Sequence, residues 1–147
     1  MMFEALAIPA HLAARPASFA SLMDLYECNY IAMRRLCPVL PHVTQEHCVS
    51  RVERSSPLHF NMLERGPYTS TLKLSQYISE TGRTPSLPIR VYHDARQAEV
   101  LLSGIYHEGL ANDMHSRRSR RRLDICWQAN LFLNDWLEYC LAQGHRF

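Results

Sequence analysis

Long apolar runs are missing from this chain. No stretch approaches the ~18 residues that a membrane-spanning helix needs, so no membrane is expected among its partners. Glycine is scarce and scattered, with five residues in 147. Neither a P-loop nor G-x-G-x-x-G occurs, which excludes the common nucleotide cradles. G-x-S-x-G is also absent, and no cysteine stands beside a histidine at a helix start, so the usual nucleophile settings are missing. Of the eight histidines, none falls in H-x-x-x-H or H-E-x-x-H, and none joins a cysteine pair at zinc-ligand spacing. The nearest approach is "HVTQEHC", where His42, Glu46, His47 and Cys48 do not converge on one point of a strand. No metal and no cofactor are therefore expected. The five cysteines (28, 37, 48, 126 and 140) are odd in number and show no C-x-x-C spacing. They read as reduced core residues of a cytoplasmic protein. These absences argue against the common enzyme types and toward a binding protein.

What is present describes one soluble domain. The composition is 47% hydrophobic and 20% charged, and the mass is 17.0 kDa. A domain of this size buries roughly 68–70% of the surface its unfolded chain exposes, enough for a core without disulfide or metal. The opening "MMFEALAIPAHLAARP" lacks a basic n-region, carries Glu4 and is broken by Pro9 and Pro16. Residues 1–17 are expected to form a poorly ordered tail, followed by a single domain over 18–147. Net charge is only +2 but is unevenly placed. Basic and acidic residues cancel through Asn112, and the excess lies in "HSRRSRRR" with Arg117, Arg118, Arg120, Arg121 and Arg122. This run reads as a solvated loop before a helix, and it invites a phosphate-binding reading. Aromatics for base stacking do not interleave it, so nucleic acid is a secondary expectation.

The first element is "SFASLMDLYECNYIAMRRLCP". Phe19, Leu22, Tyr26, Tyr30, Met33 and Cys37 recur at helical spacing, Ser18 can cap the start and Pro38 stops the helix. Asn29 falls inside the apolar arc, where a buried amide must find a partner such as a neighbouring backbone. From Pro41 to Tyr106 the period changes to two. "HCVSRVER", "LHFNMLER", "YTSTLKLSQY", "LPIRVYHD" and "QAEVLLSGIY" are strands bounded by Pro, Gly and Ser clusters, and their short connections favour antiparallel pairing. A second helix is predicted over Asp124–Gln143, with Gly144 as its stop. Ile125, Ala129, Phe132, Leu133, Trp136 and Cys140 form its broad apolar face. Trp127 and Leu131 lie outside that face and mark a further contact, with a sheet edge, another helix or a second copy of the chain. The fold class is α+β: an antiparallel sheet of about five strands flanked by an N-terminal and a C-terminal helix.

The candidate chemistry centres on "IRVYHDARQAEV". Adjacent strand residues point to opposite faces, so His93 and Asp94 cannot form a relay without a bend. The bland reading makes Asp94 a turn cap and seats His93 on the covered face, in the row Leu87-Ile89-Val91. The sharper reading is a small-ligand site at the strand end, with Arg90, Tyr92, His93 and Asp94 holding a phosphate or carboxylate.

Three stretches together carry a resemblance: "LYECNYIAMRRLCP", "IRVYHDARQAEV" and "NLFLNDWLEYCLAQG". The chain resembles, over about residues 22–144, the YqiB-like family of small proteobacterial proteins, a domain-of-unknown-function family. The resemblance places Glu27, Asn29, Arg34, Arg35, Tyr92, His93, Asp94, Glu99, Asn130, Asp135 and Trp136 on the family pattern. It implies no activity and no cofactor. The leading expectation is a non-enzymatic, cytoplasmic binding or interaction protein that self-associates as a homo-oligomer, through Trp127 and Leu131.

Overall fold

The computed structural model describes residues 18–102 and 117–147, without the side chains of 117–119. The expected tail over 1–17 and the end of the fifth strand run therefore lie outside the described residues, as do the side chains of Arg117 and Arg118.

Helix α1 spans Phe19–Leu36. Ser18 caps it, its Oγ accepting the Ser21 amide at 3.1 Å, and the chain leaves at Cys37-Pro38. A short 3-10 turn (Leu40–His42) leads to five strands: β1 (His47–Ser50), β2 (Leu58–Arg65), β3 (Thr69–Gln76), β4 (Ser86–Tyr92) and β5 (Gln97–Val100). They form one meander in the order β1-β2-β3-β4-β5, every neighbouring pair antiparallel. Leu63 bulges from β2 between Met62 and Glu64 and stays exposed. Helix α2 runs from Arg117 to Ala142.

Alternation decides which sheet face is covered. Leu58, Phe60, Leu72, Leu74, Ile89, Val91, Ala98 and Val100 form one row set and are all buried, with Met33 and Leu36 of α1 and Leu133, Trp136 and Leu137 of α2. Both helices therefore lie on the same face. Asn29 pairs with Asn130, and Arg35 with Glu138, so α1 and α2 run parallel to each other. The expected α+β class and five-strand antiparallel sheet are present, with the sheet beneath the two helices rather than between them.

Two expectations about α2 need correction. The helix begins at Arg117 rather than Asp124, so the arginine run forms its first turns and not a loop. Arginine is among the better helix formers, and Arg120 and Arg121 are exposed. In that position a cation near a helix N-terminus costs only about 0.3–1 kcal/mol. The buried arc also shifts along the helix. Ile125, expected in the core, is 40% exposed, whereas Trp127 is 5% exposed and clusters with Leu22, Leu25, Tyr26, Leu123 and Cys126. Leu131 packs partly buried against that cluster. The N-terminal half of α2 meets α1, and only the C-terminal half meets the sheet. The further contact marked by Trp127 is thus another helix.

Candidate ligand-binding site

The four residues of the strand-end reading face different ways. Arg90 and Tyr92 lie on the sheet face away from the helices. There Arg90 Nε donates to Thr71 Oγ1 at 3.1 Å, and Tyr92 Oη donates to Glu99 Oε1 at 2.7 Å. Burial and the Glu99 carboxylate push the Tyr92 phenol up to about 12. His93 points to the covered face and meets Ser70 Oγ at 2.8 Å, and burial lowers its pKa. Asp94 caps the turn, Oδ1 accepting the Ala95 amide at 3.0 Å, and is exposed. The structure thus brings Arg90 and Tyr92 within hydrogen-bond reach of each other on the outer face and sets His93 and Asp94 apart from them. Asn29, expected to bind a backbone, reaches one through an intermediary. Its Nδ2 donates to Asn130 Oδ1 at 3.3 Å, and the same oxygen accepts the Val100 amide at 3.0 Å.

A different constellation does converge, and it starts at the C-terminal end of α2. Gly144 takes φ +94, which lets its amide bond Leu141 O and the His145 amide bond Cys140 O. This is the paired Schellman pattern, which turns the chain back on the helix. His145 is thereby driven inward to 2% exposure. Its Nδ1 lies 2.9 Å from Ser50 Oγ, and its Nε2 lies 3.1 Å from Ser55 Oγ and 3.3 Å from Gln76 Nε2. Burial lowers its pKa, so the ring is neutral at pH 7.

Gln76 sets the direction of the bonds. Its Oε1 accepts Trp136 Nε1–H at 2.9 Å, so its amide nitrogen must be the end facing Ser56 O (3.0 Å) and His145. An amide donor facing Nε2 makes that nitrogen the acceptor and places the ring proton on Nδ1. The Ser55 hydroxyl then donates to Nε2. Trp136, Gln76, His145 and Ser55 form one chain of hydrogen bonds from the core to the surface.

At its outer end Ser55 lines a cavity of about 310 Å³ with Arg54, Ser56, Tyr77, Ser79, Glu80 and Tyr139. Burial, followed by the Glu80 carboxylate, raises the Tyr139 pKa, and Ser55 lies within hydrogen-bond reach of its hydroxyl. Ser79 Oγ donates to Glu80 Oε2 at 3.4 Å. Arg54 stands at φ 66, a left-handed conformation uncommon for a non-glycine residue. Among the described residues, no group of three His, Cys, Asp or Glu side chains could hold a metal ion. None of these cavity residues was singled out in the sequence. The available signals were Gln76, a polar residue in the buried row of Leu72 and Leu74, and His145 directly after a helix-stop glycine.

Among the described residues this geometry belongs to an α+β arrangement of two helices and five strands, with a buried polar chain opening on a polar cavity. The model of a family described as "Protein of unknown function (DUF1249)" matches residues 32–146, and the chain belongs to that family. It is similar to the uncharacterized protein YqiB of Escherichia coli strain K12, 31% identical over 128 residues, which is 86% of this chain and 90% of that protein. The same identity and coverage hold for YqiB of Escherichia coli O157:H7. No solved structure matches the chain. Gln76, Trp136 and His145 all fall within the matched family region.

Proposed function

We propose that the protein is a non-enzymatic binding protein whose ligand is a small polar molecule held in the Ser55–Glu80–Tyr139 cavity. The observation that carries this reading is the Trp136–Gln76–His145–Ser55 chain. It holds one hydroxyl in a fixed donor–acceptor state at the cavity wall, a pre-organised polar contact of the kind that fixes ligand orientation. The cavity volume stands at the lower end of the ~300–1,000 Å³ of small-molecule sites.

Catalysis by Ser55 is the less favoured use of the same contact. The Nε2 lone pair that would accept the serine proton is shared with the Gln76 amide, and nothing in the chain offers a stronger base. Five cysteines, none of them in a disulfide among the described residues, support a reducing, cytoplasmic setting. Among the described residues, no helix is long and apolar enough to cross a membrane. Binding in this cavity does not require a second copy of the chain, and Trp127, on which self-association was expected to rest, is covered by α1.

The test is a thermal-shift screen of polar metabolites against the wild type and the Ser55→Ala and Tyr139→Phe variants. A ligand at 100 times its Kd adds about 2.7 kcal/mol, or roughly 5–10 °C in a domain of this size. Binding in the cavity predicts that a hit weakens in both variants. A hit unchanged in both, or no hit across the screen, refutes the reading.

A further inference from the structure

We infer that the ligand is a small zwitterion of amino-acid size, carrying a carboxylate and an ammonium group together. The inference rests on the binding reading above and specifies the ligand. Its basis is the charge layout of the cavity wall. Arg54, on the β1–β2 connection, supplies a cation, and Glu80, following β3, supplies an anion. Between them the wall presents the Ser55 and Ser79 oxygens, whose protons go to His145 and Glu80 and which therefore accept, and the Tyr139 hydroxyl. Arg54 and Glu80 are both exposed and form no ion pair with each other among the described residues. Glu80 already accepts from Ser79 Oγ and lies within hydrogen-bond reach of the Tyr139 hydroxyl, which leaves its remaining lone pairs for a ligand group. A zwitterion meets both charges of the wall, whereas a simple anion or cation meets one and a neutral sugar neither.

The backbone at Arg54 decides which variant tests the cation. The left-handed region suits glycine, and a non-glycine residue held in a sparsely populated conformation costs about 1–3 kcal/mol. Arg96 takes the same conformation, at φ 56, in the β4–β5 turn. The guanidinium matches a carboxylate with two parallel N–H donors, whereas Glu80 can only accept and so matches an ammonium.

Calorimetric titration of the full chain tests this. The probes are the free amino acids, their carboxamides, the decarboxylated amines, the desamino acids and neutral polyols. At least one free amino acid should bind, and its analogues lacking either charge should bind about 10- to 100-fold more weakly. Arg54→Gly keeps the backbone conformation while removing the cation. It should weaken the amino acid by about that factor and leave the decarboxylated amine unaffected. Glu80→Gln should do the converse, leaving the desamino acid unaffected. Binding of polyols that is sensitive to Ser55→Ala but indifferent to both charge variants would overturn the zwitterion and leave the binding reading standing. Absence of binding by every probe would overturn the zwitterion as well, and the wider metabolite screen would then decide the binding reading by itself.

Discussion

Replacing Gln76 by Leu changes little in volume and removes every polar contact at the centre of the buried chain. Gln76 is 1% exposed and Trp136 is fully buried, so water cannot replace what is lost. The Trp136 N–H, now 2.9 Å from Gln76 Oε1, would be stranded, a penalty of about 1–3 kcal/mol. Ser56 O and His145 Nε2 would each lose one donor but keep partial alternatives, Ser56 through solvent and His145 through Ser55. These losses add about 1 kcal/mol, and the weak Cys140 Sγ contact adds little. The expected total is about 2–4 kcal/mol, a large share of the ~5–15 kcal/mol that a domain possesses. Urea unfolding should show the midpoint falling at constant m-value, and the melting temperature should drop by about 5–15 °C. The double variant Gln76→Leu, Trp136→Phe removes both partners and should lose less than the sum of the single changes, by ~1 kcal/mol or more. A single-variant loss below ~1 kcal/mol, or strict additivity, would refute the claim that this chain of bonds holds the site.

Three further outcomes are expected. Burial lowers the pKa of both His145 and His93 from the ordinary 6.5, so the unfolded state takes up protons first as pH falls. Stability should therefore be full above about pH 6.5 and decline below it, and His145→Asn should flatten the pH 5–6.5 part of a denaturation series. Tyr92, held up at about 12, should titrate above the ordinary tyrosine value of 10 in an ultraviolet alkaline titration; Glu99→Gln should bring it down while burial keeps it above an exposed tyrosine. Trp127→Glu places a charge in the α1–α2 cluster and should cost ~4 kcal/mol or more by chemical denaturation. A folded, equally stable variant that only changed its sedimentation would return Trp127 to the surface role expected from sequence.

Local signals made most of the architecture legible. Ser18 and Pro38 bracket α1, and period-two runs joined by short polar turns can hardly form anything but an antiparallel meander. The bounds of α2 were less legible, because a run of arginines resembles a loop by charge while favouring helix by propensity. Its buried face was misplaced for a different reason. A single apolar arc assumes a single partner, and α2 changes partner from helix to sheet along its length. The cavity was out of reach for a third reason. Ser50, Ser55, Gln76, Glu80, Tyr139 and His145 come from three separate parts of the chain. What unites them is the register of β1 with β2 and of β2 with β3, together with the reversal at Gly144, and none of these is written in any one window of sequence.

The parallel course of the two helices also bears on how the molecule is made. Residues 29 and 130 are neighbours in space, yet the whole meander is synthesised between them. Until α2 follows, Leu58, Leu74 and the rest of the inner row have only α1 to cover them. Closing so long a loop is slow compared with zipping hairpins together. The nascent sheet should thus pass through an interval with a bare apolar face, in which chaperones or aggregation compete with completion. Conditions that slow the arrival of α2 should cost soluble yield more than they cost the stability of molecules that have already folded.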